Sequence, residues 1–161
     1  MGILTEITKY LAEKVNPNNV YYSVENNTVG EAALISISEI GEENIKGIFL
    51  SEPKRMGSGR RYRKGFNTTN STKISACAKL KNLIESKRMI IVSRPLISEL
   101  KTFVAHGASY AAKPGETDDL VMSLILAVRM AQMLQSFDSQ LDYTMKDSLE
   151  DIIEPMPFYI S

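Results

Sequence analysis

A chain of 161 residues is long enough to bury a substantial hydrophobic core within one domain. Its composition, 43% hydrophobic and 24% charged, is typical of a soluble globular protein rather than of a disordered chain. The single cysteine excludes an internal disulfide and a cysteine-based zinc site, and the formal net charge is zero, although the charges are unevenly placed.

The N-terminal segment predicts a helix followed by a strand. Residues 2–15 carry apolar side chains at helical spacing, and the charges among them argue against a signal peptide. Residues 16–19 (NPNN) predict a turn, and residues 20–24 (VYYSV) predict a strand because they are mainly β-branched or aromatic. We therefore expect a soluble, cytoplasmic protein whose first two elements are a helix and a strand.

A second helix is predicted directly after this strand. Glu25 ends the strand, and Thr28 with Glu31 has the spacing of a capping box. The helix is expected to stop at Gly41, and residues 45–50 then predict a second strand. The succession of strand, helix and strand is typical of a parallel α/β unit.

The long irregular stretch that follows, residues 51–71, is strongly basic. Between Pro53 and Lys73 the chain has no acid and seven basic residues, namely Lys54, Arg55, Arg60, Arg61, Arg63, Lys64 and Lys73. Between Asp138 and Glu154 it has six acids and one lysine. This asymmetry favours a segment that faces nucleic acid, and an acidic tail, over a uniformly solvated surface.

The middle of the chain alternates between helix and strand patterns. Helices are predicted over residues 72–86 and 94–104. Between them, residues 89–92 (MIIV) form a compact apolar run that predicts a strand. Residues 105–112 resemble a hairpin. This order of elements predicts an α/β domain with a partly parallel sheet.

Two adjacent carboxylates, Asp118 and Asp119, precede the most apolar stretch of the chain. Residues 113–115 (KPG) predict a turn, and Thr117 or Asp118 can cap the helix that follows. From residue 120 to residue 134 this helix is apolar on nearly every side, so we expect it to be buried, and it is too short to span a membrane. In the simplest interpretation the two acids only mark the start of a helix.

A third carboxylate gives the pair a second interpretation. Glu25 follows a strand of a partly parallel sheet, and polar residues at the carboxyl ends of such strands face the functional crevice. Carboxylates, together with phosphate oxygens, are the ligands that Mg²⁺ prefers. Glu25, Asp118 and Asp119 are therefore candidate ligands of a divalent cation.

Four stretches, in this order and spacing, resemble one known family. They are residues 24–28 (VENNT), Lys73 with residues 77–85 (CAKLKNLIE), residues 99–103 (ELKTF) and residues 118–124 (DDLVMSL). Together they resemble the nuclease domain of the large terminase subunit of tailed phages, of the myovirus type. The resemblance extends over about residues 3–136, and its last stretch is the most specific.

The resemblance implies a ribonuclease H-like fold, a mixed sheet flanked by helices, over residues 1–137, followed by an acidic C-terminal tail, residues 138–161. It implies a metal-dependent endodeoxyribonuclease that uses Mg²⁺ or Mn²⁺ to hydrolyse DNA phosphodiester bonds. Glu25 and Asp119 match two metal-binding acids of the family, and Asp118 matches a neighbouring catalytic acid. Paired metal ions suit this reaction because they activate water and stabilise the leaving oxygen.

The sequence departs from the family pattern in two respects. The family's first catalytic Asp lies on an initial β-hairpin, which this sequence lacks, and no Asp precedes Asp118. The phosphate-binding loop of the family's ATPase domain does not occur either. We therefore expect a partial nuclease domain that is weak or inactive alone.

The resemblance also implies partners. They are double-stranded DNA and the remaining N-terminal part of the terminase, with its ATPase domain and first catalytic strand, together with the small terminase subunit and the portal. The expected location is the cytoplasm of the infected bacterial host, with no membrane contact. Because Arg and Lys side chains contact phosphates, we expect DNA contacts at five residues, namely Arg60, Arg61, Arg63, Lys64 and Lys73.

Other interpretations stay open at this point. The basic stretch can also be a mobile, solvated loop. The whole chain can be a non-catalytic DNA-binding or assembly module of the packaging machine, or another ribonuclease H-like enzyme such as a junction resolvase. The closeness of residues 118–124 to the terminase pattern disfavours the junction resolvase.

Overall fold

The computed structural model of the chain describes residues 2–52 and 64–150, apart from the side chains of Thr28 and of residues 137–150. These residues form a mixed α/β structure with five α-helices and two small sheets. In chain order the elements are α1 (Gly2–Lys14), β1 (Tyr21–Tyr22), α2 (Thr28–Ile40), β2 (Ile48–Phe49), α3 (Asn70–Glu85), α4 (Arg94–Thr102), β3 (Phe103–His106), β4 (Ser109–Ala112) and α5 (Asp119–Glu150). Short 3-10 helices at Pro17–Asn19 and Glu42–Asn44 precede β1 and β2.

The first sheet is a parallel pair, and α2 forms its crossover. Tyr22 lies opposite Phe49, and the N–H of Leu50 donates to the carbonyl of Tyr22 at 2.9 Å. Beyond β1, Glu25 continues the pairing as an isolated parallel bridge to Phe66. The two predicted strands are confirmed in position, although regular pairing is limited to two residues in each.

The second sheet is the predicted hairpin. Phe103 lies opposite Ala112 and His106 opposite Ser109 in an antiparallel pair, with Gly107 at the tip in a left-handed conformation, φ 58°. The helix predicted over residues 94–104 ends at Thr102, because the last residues of that range belong to β3.

Two clusters of buried side chains stabilise these elements. The smaller cluster packs β1 against α2 and the segment before β2, through Tyr22, Ile37 and Ile45. The larger cluster packs α5 against α3, with contributions from α4, and its buried members are Ala76, Leu80, Val121, Ile125 and Val128. Full burial of a Val, Leu or Ile side chain stabilises the fold by about 1.5–3 kcal/mol relative to exposure.

Residues 89–92, predicted as a strand, belong to neither sheet. Met89 packs on the larger cluster, whereas Ile90 and Val92 are 83% and 85% exposed. The alternation is that of a strand with one face on the core, but no other segment of residues 2–52 and 64–150 pairs with it. The prediction is wrong because a strand needs a partner, which the pattern of one segment cannot supply.

The start of α2 differs from the capping box that the sequence predicts. Asn27, not Thr28, is the N-cap, and its side-chain oxygen accepts a hydrogen bond from the N–H of Gly30 at 2.8 Å. The predicted end is confirmed, since Gly41 adopts a φ of 87° as the C-cap. Asn and Thr are both good caps, so the sequence alone does not decide between neighbours.

Helix α5 is buried along one stripe, so the prediction that it is buried all round is wrong. Val121, Ile125 and Val128 are buried, whereas Leu120 is 43% exposed, because α3 and α4 cover only one side of the helix. The helix continues to Glu150, past residue 137. Among the helices of residues 2–52 and 64–150, none is both long and apolar enough to cross a membrane.

Candidate functional site

Glu25 lies between β1 and the first turn of α2. It pairs with Phe66, and the N–H of the next residue, Asn26, donates to the Phe66 carbonyl at 2.7 Å. The carboxylate of Glu25 is partly buried and accepts a hydrogen bond from the side-chain amide of Asn27 at 3.0 Å. Because Asn27 also caps α2, one residue orients the carboxylate and begins the helix.

Gly30 allows α2 to approach Glu25 closely. A Cβ atom at this position would lie 1.7 Å from the carbonyl oxygen of Glu25 and 3.2 Å from the side chain of Val24. A larger residue therefore fits only if α2 or the backbone of Glu25 moves. Gly30 thus helps to determine where the carboxylate of Glu25 lies.

The outer edge of β1, beside Glu25, is open in the part of the chain that the structure describes. Tyr22 directs its backbone groups towards β2, so in a parallel ladder Tyr21 and Ser23 direct theirs to the opposite side. No strand within residues 2–52 and 64–150 pairs on that side. The edge therefore offers backbone donors and acceptors to a further strand.

The start of α5 is capped by Glu99 of α4. One oxygen of its carboxylate accepts hydrogen bonds from the N–H groups of Leu120 at 2.8 Å and Val121 at 3.1 Å. The other oxygen accepts a hydrogen bond from the hydroxyl of Thr117 at 3.1 Å. The first N–H groups of a helix have no partner within the helix, so Glu99 supplies one from a neighbouring element.

The side chains of Asp118 and Asp119 are consequently not needed as caps. Asp118 contributes its carbonyl, which accepts a hydrogen bond from the N–H of Met122 at 2.8 Å, while its carboxylate lies 3.8 Å from the ammonium group of Lys73. Asp119 is the first residue of α5 and is exposed. The prediction of a side-chain cap at Thr117 or Asp118 is wrong, because the cap comes from the preceding helix.

We expect Glu99→Ala to lower the free energy of unfolding by about 1–2 kcal/mol, because α5 loses two hydrogen bonds and a negative charge at its positive end. Urea denaturation measures the loss. Glu116→Ala removes a nearby exposed acid and is the matched control, with an expected change below about 0.5 kcal/mol. Equal losses in the two variants would contradict the capping role.

Of the predicted DNA contacts, three lie outside the described residues, namely Arg60, Arg61 and Arg63. Lys64 is exposed, and its ammonium group forms an ion pair with Glu42. The carbonyl of Lys64 accepts a hydrogen bond from the side-chain amide of Asn26 at 3.1 Å. The backbone of Lys64 is therefore fixed beside Glu25.

Arg129 is a buried charge on the apolar stripe of α5. Its guanidinium forms an ion pair with Glu52 and donates to the carbonyl of Asn67 at 3.1 Å and to the hydroxyl of Thr68 at 3.3 Å. It also lies 5.0 Å from the ring centre of Phe66, beside a cavity of about 350 Å³. Arg129 therefore connects α5 to the segment that pairs with the end of β1. The signal in the sequence that could indicate this role is a charged residue at a position of α5 where the helical spacing predicts a buried apolar one.

Cys77, the single cysteine of the chain, lies on α3 and packs on the larger cluster. Burial raises the pKa of its thiol, and the positive charge of Lys73 opposes this rise. A protonated thiol is a weak nucleophile, so the environment of Cys77 favours a packing role over a catalytic one.

The chemistry of the candidate ligands suits a hard divalent cation. Carboxylate oxygens such as those of Glu25 and Asp119 are ligands that Mg²⁺ and Mn²⁺ prefer. Within residues 2–52 and 64–150, however, no three side chains of His, Cys, Asp or Glu lie close enough together to hold a metal ion. Glu25, Asp118 and Asp119 thus do not form a three-ligand cluster in this structure. No protein-family model matches the sequence.

Proposed function

We propose that this chain is the nuclease part of a viral DNA-packaging terminase, a metal-dependent endodeoxyribonuclease with a ribonuclease H-like fold. The observation that carries the proposal is the placement of a basic residue, Lys64, beside the segment of Glu25: the carbonyl of Lys64 accepts a hydrogen bond from Asn26, and Phe66 pairs with Glu25. A DNA phosphate bound by Lys64 would lie on the side of the fold that carries this carboxylate. The mixed α/β architecture and the DDLVMSL sequence at the start of α5 also support the proposal.

In this proposal Glu25 and Asp119 are the residues that hold Mg²⁺ or Mn²⁺, and Asp118 is the neighbouring catalytic acid. Bound ions supply activation of water and stabilisation of the leaving oxygen. The chain's own residues orient the acids, since Asn27 donates to the carboxylate of Glu25 and Glu99 fixes the start of α5.

The DNA contacts in the proposal come from the basic stretch, through phosphate contacts that are independent of base sequence. Lys64 is exposed, and its carbonyl is bonded to Asn26, the neighbour of Glu25. In this proposal its exposed ammonium group exchanges the carboxylate of Glu42 for a DNA phosphate. The proposed arginine contacts are Arg60, Arg61 and Arg63.

The proposal includes a partner that supplies a further strand and a further carboxylate. The open edge of β1 and the exposed Ile90 and Val92 support it, since a strand can add to such positions. An Asp on a strand that pairs with the edge of β1 would add a third ligand near Glu25. In this proposal the partner is the remainder of the terminase, which works with the small subunit and the portal in the cytoplasm of the infected bacterium.

A non-catalytic DNA-binding or assembly module of the same packaging machine is the second candidate. The observation that favours it is the lack, among the residues that the structure describes, of three clustered metal-binding side chains. In that case the basic stretch binds DNA, while Asp118 stabilises the fold through its ion pair with Lys73.

Nicking of supercoiled plasmid by the purified chain in Mn²⁺ tests the proposal. We expect salt-dependent DNA binding and slow nicking, because one metal ligand is missing. Asp119→Asn and Glu25→Gln should abolish the nicking and leave DNA binding intact. Glu116→Gln, at an exposed acid near Asp119, is the matched control and should leave the nicking unchanged.

The other outcomes separate the hypotheses. DNA binding without any nicking would favour the non-catalytic module. Rapid cutting that depends on Asp119 would support the nuclease function and would contradict the expectation that the chain lacks one metal ligand. A chain that neither binds nor cuts DNA would contradict both candidate functions.

A further inference from the structure

Lys73 lies in an environment that differs from that of an ordinary surface lysine. Its ammonium group is 3.8 Å from the carboxylate of Asp118 and 5.3 Å from the ring centre of Phe103. Only 15% of its side chain is exposed, compared with 74% for Lys81 on the same helix. Lys73 is therefore largely covered, and its charge is directed at an acid of this chain.

This environment does not suit a contact with DNA. A lysine that neutralises a phosphate needs an ammonium group that solvent and DNA can reach. The charge of Lys73 is already shared between a carboxylate and the face of an aromatic ring, an arrangement that stabilises a cation. A phosphate would have to break both contacts.

We propose that Lys73 is the resident countercation of the Asp118–Asp119 pair and a positioning residue that fixes the carboxylate of Asp118. Adjacent carboxylates repel each other, and a positive charge 3.8 Å from one of them reduces the net negative charge of the pair. Asp119, which is exposed, is then the acid of the pair that faces solvent. The effect on metal affinity rests on the proposed function, whereas the ion pair itself does not.

Two measurements on Lys73→Gln test the pairing without DNA cleavage. In urea denaturation, Lys73→Gln should lower the unfolding midpoint in the wild-type background and have a much smaller effect in the Asp118→Asn background. In titrations with Mn²⁺ alone, Lys73→Gln should tighten binding by about five- to tenfold, since one unit of opposing charge is removed. Lys73→Arg should stay near wild type, and Lys81→Gln is the matched control on the same helix.

A third measurement compares the salt dependence of DNA binding. We expect the slope of log K against log salt to be the same for Lys73→Gln and wild type. A slope reduced by about 0.9, the value for one lost phosphate contact, would overturn the proposal. Equal urea effects of Lys73→Gln in the two backgrounds would also overturn it.

The metal titration separates this proposal from the proposed nuclease. If no variant binds Mn²⁺, the metal site is refuted, and the urea comparison alone decides whether Lys73 pairs with Asp118. If Mn²⁺ binds in an Asp119-dependent manner but Lys73→Gln does not change its affinity, the metal site stands and the role of Lys73 is refuted.

Discussion

Replacement of Arg129 by methionine is expected to lower the free energy of unfolding by about 3 kcal/mol. The variant loses the ion pair with Glu52 and two further hydrogen bonds, which connect α5 to residues 67 and 68. Loss of one partner from a buried ion pair typically costs 3–5 kcal/mol, and the lower end applies because Glu52 is only partly buried and can be solvated. For a domain of this size the melting temperature should fall by roughly 6–12 °C.

Two further variants show whether the loss comes from the Arg129 network. Arg94→Met removes an exposed arginine and should change the free energy of unfolding by less than about 0.5 kcal/mol. Arg129→Lys retains the positive charge but loses the planar guanidinium group, which donates to several acceptors at once. We therefore expect a loss of unfolding free energy smaller than that of Arg129→Met. A stability of Arg129→Met close to that of wild type would show that the network contributes little.

Gly30→Ala is expected to destabilise the chain by about 2–4 kcal/mol, although alanine is normally the better helix former. Its Cβ would lie 1.7 Å from the carbonyl oxygen of Glu25, so α2 or the end of β1 has to move. The obstacle is backbone rather than a flexible side chain, which makes the overlap costly to relieve. Urea denaturation measures the loss, and amide chemical shifts around Glu25 report the displacement.

The matched control for this overlap is Gly2→Ala. Gly2 also lies in a helix, but a Cβ there would meet no atom within 4 Å. We expect this variant to be as stable as wild type or slightly more stable, in keeping with helix propensity. Similar behaviour of the two variants would contradict the close packing of Gly30 against Glu25.

Helices were the most predictable part of this fold because their signals are local. Apolar spacing predicts α1 and α3 within a few residues of their ends, and Gly41 marks the end of α2. The strands were less predictable, since each depends on a partner that is distant in the sequence. Residues 89–92 carry the alternation of a strand and lack a pairing segment within the described residues.

The candidate site could be predicted only as a set of residue types. The acids at Glu25 and at the start of α5 were found from their places beside a strand and a helix. The contacts that hold the start of α5 could not be predicted, because Glu99 and Lys73 reach it from other helices. Arg129 was missed for the same reason, since its partner Glu52 is 77 positions away in the sequence. Such contacts leave no periodic trace in the sequence.

The length of α5 has a practical consequence for experiments on this chain. A helix of 32 residues spans roughly 48 Å, so its far end at Glu150 is distant from Asp119. A fluorophore attached at position 150 would therefore be far from both acids at the start of the helix. Immobilisation through position 150 therefore offers a way to present the start of α5 to a ligand in surface-based assays.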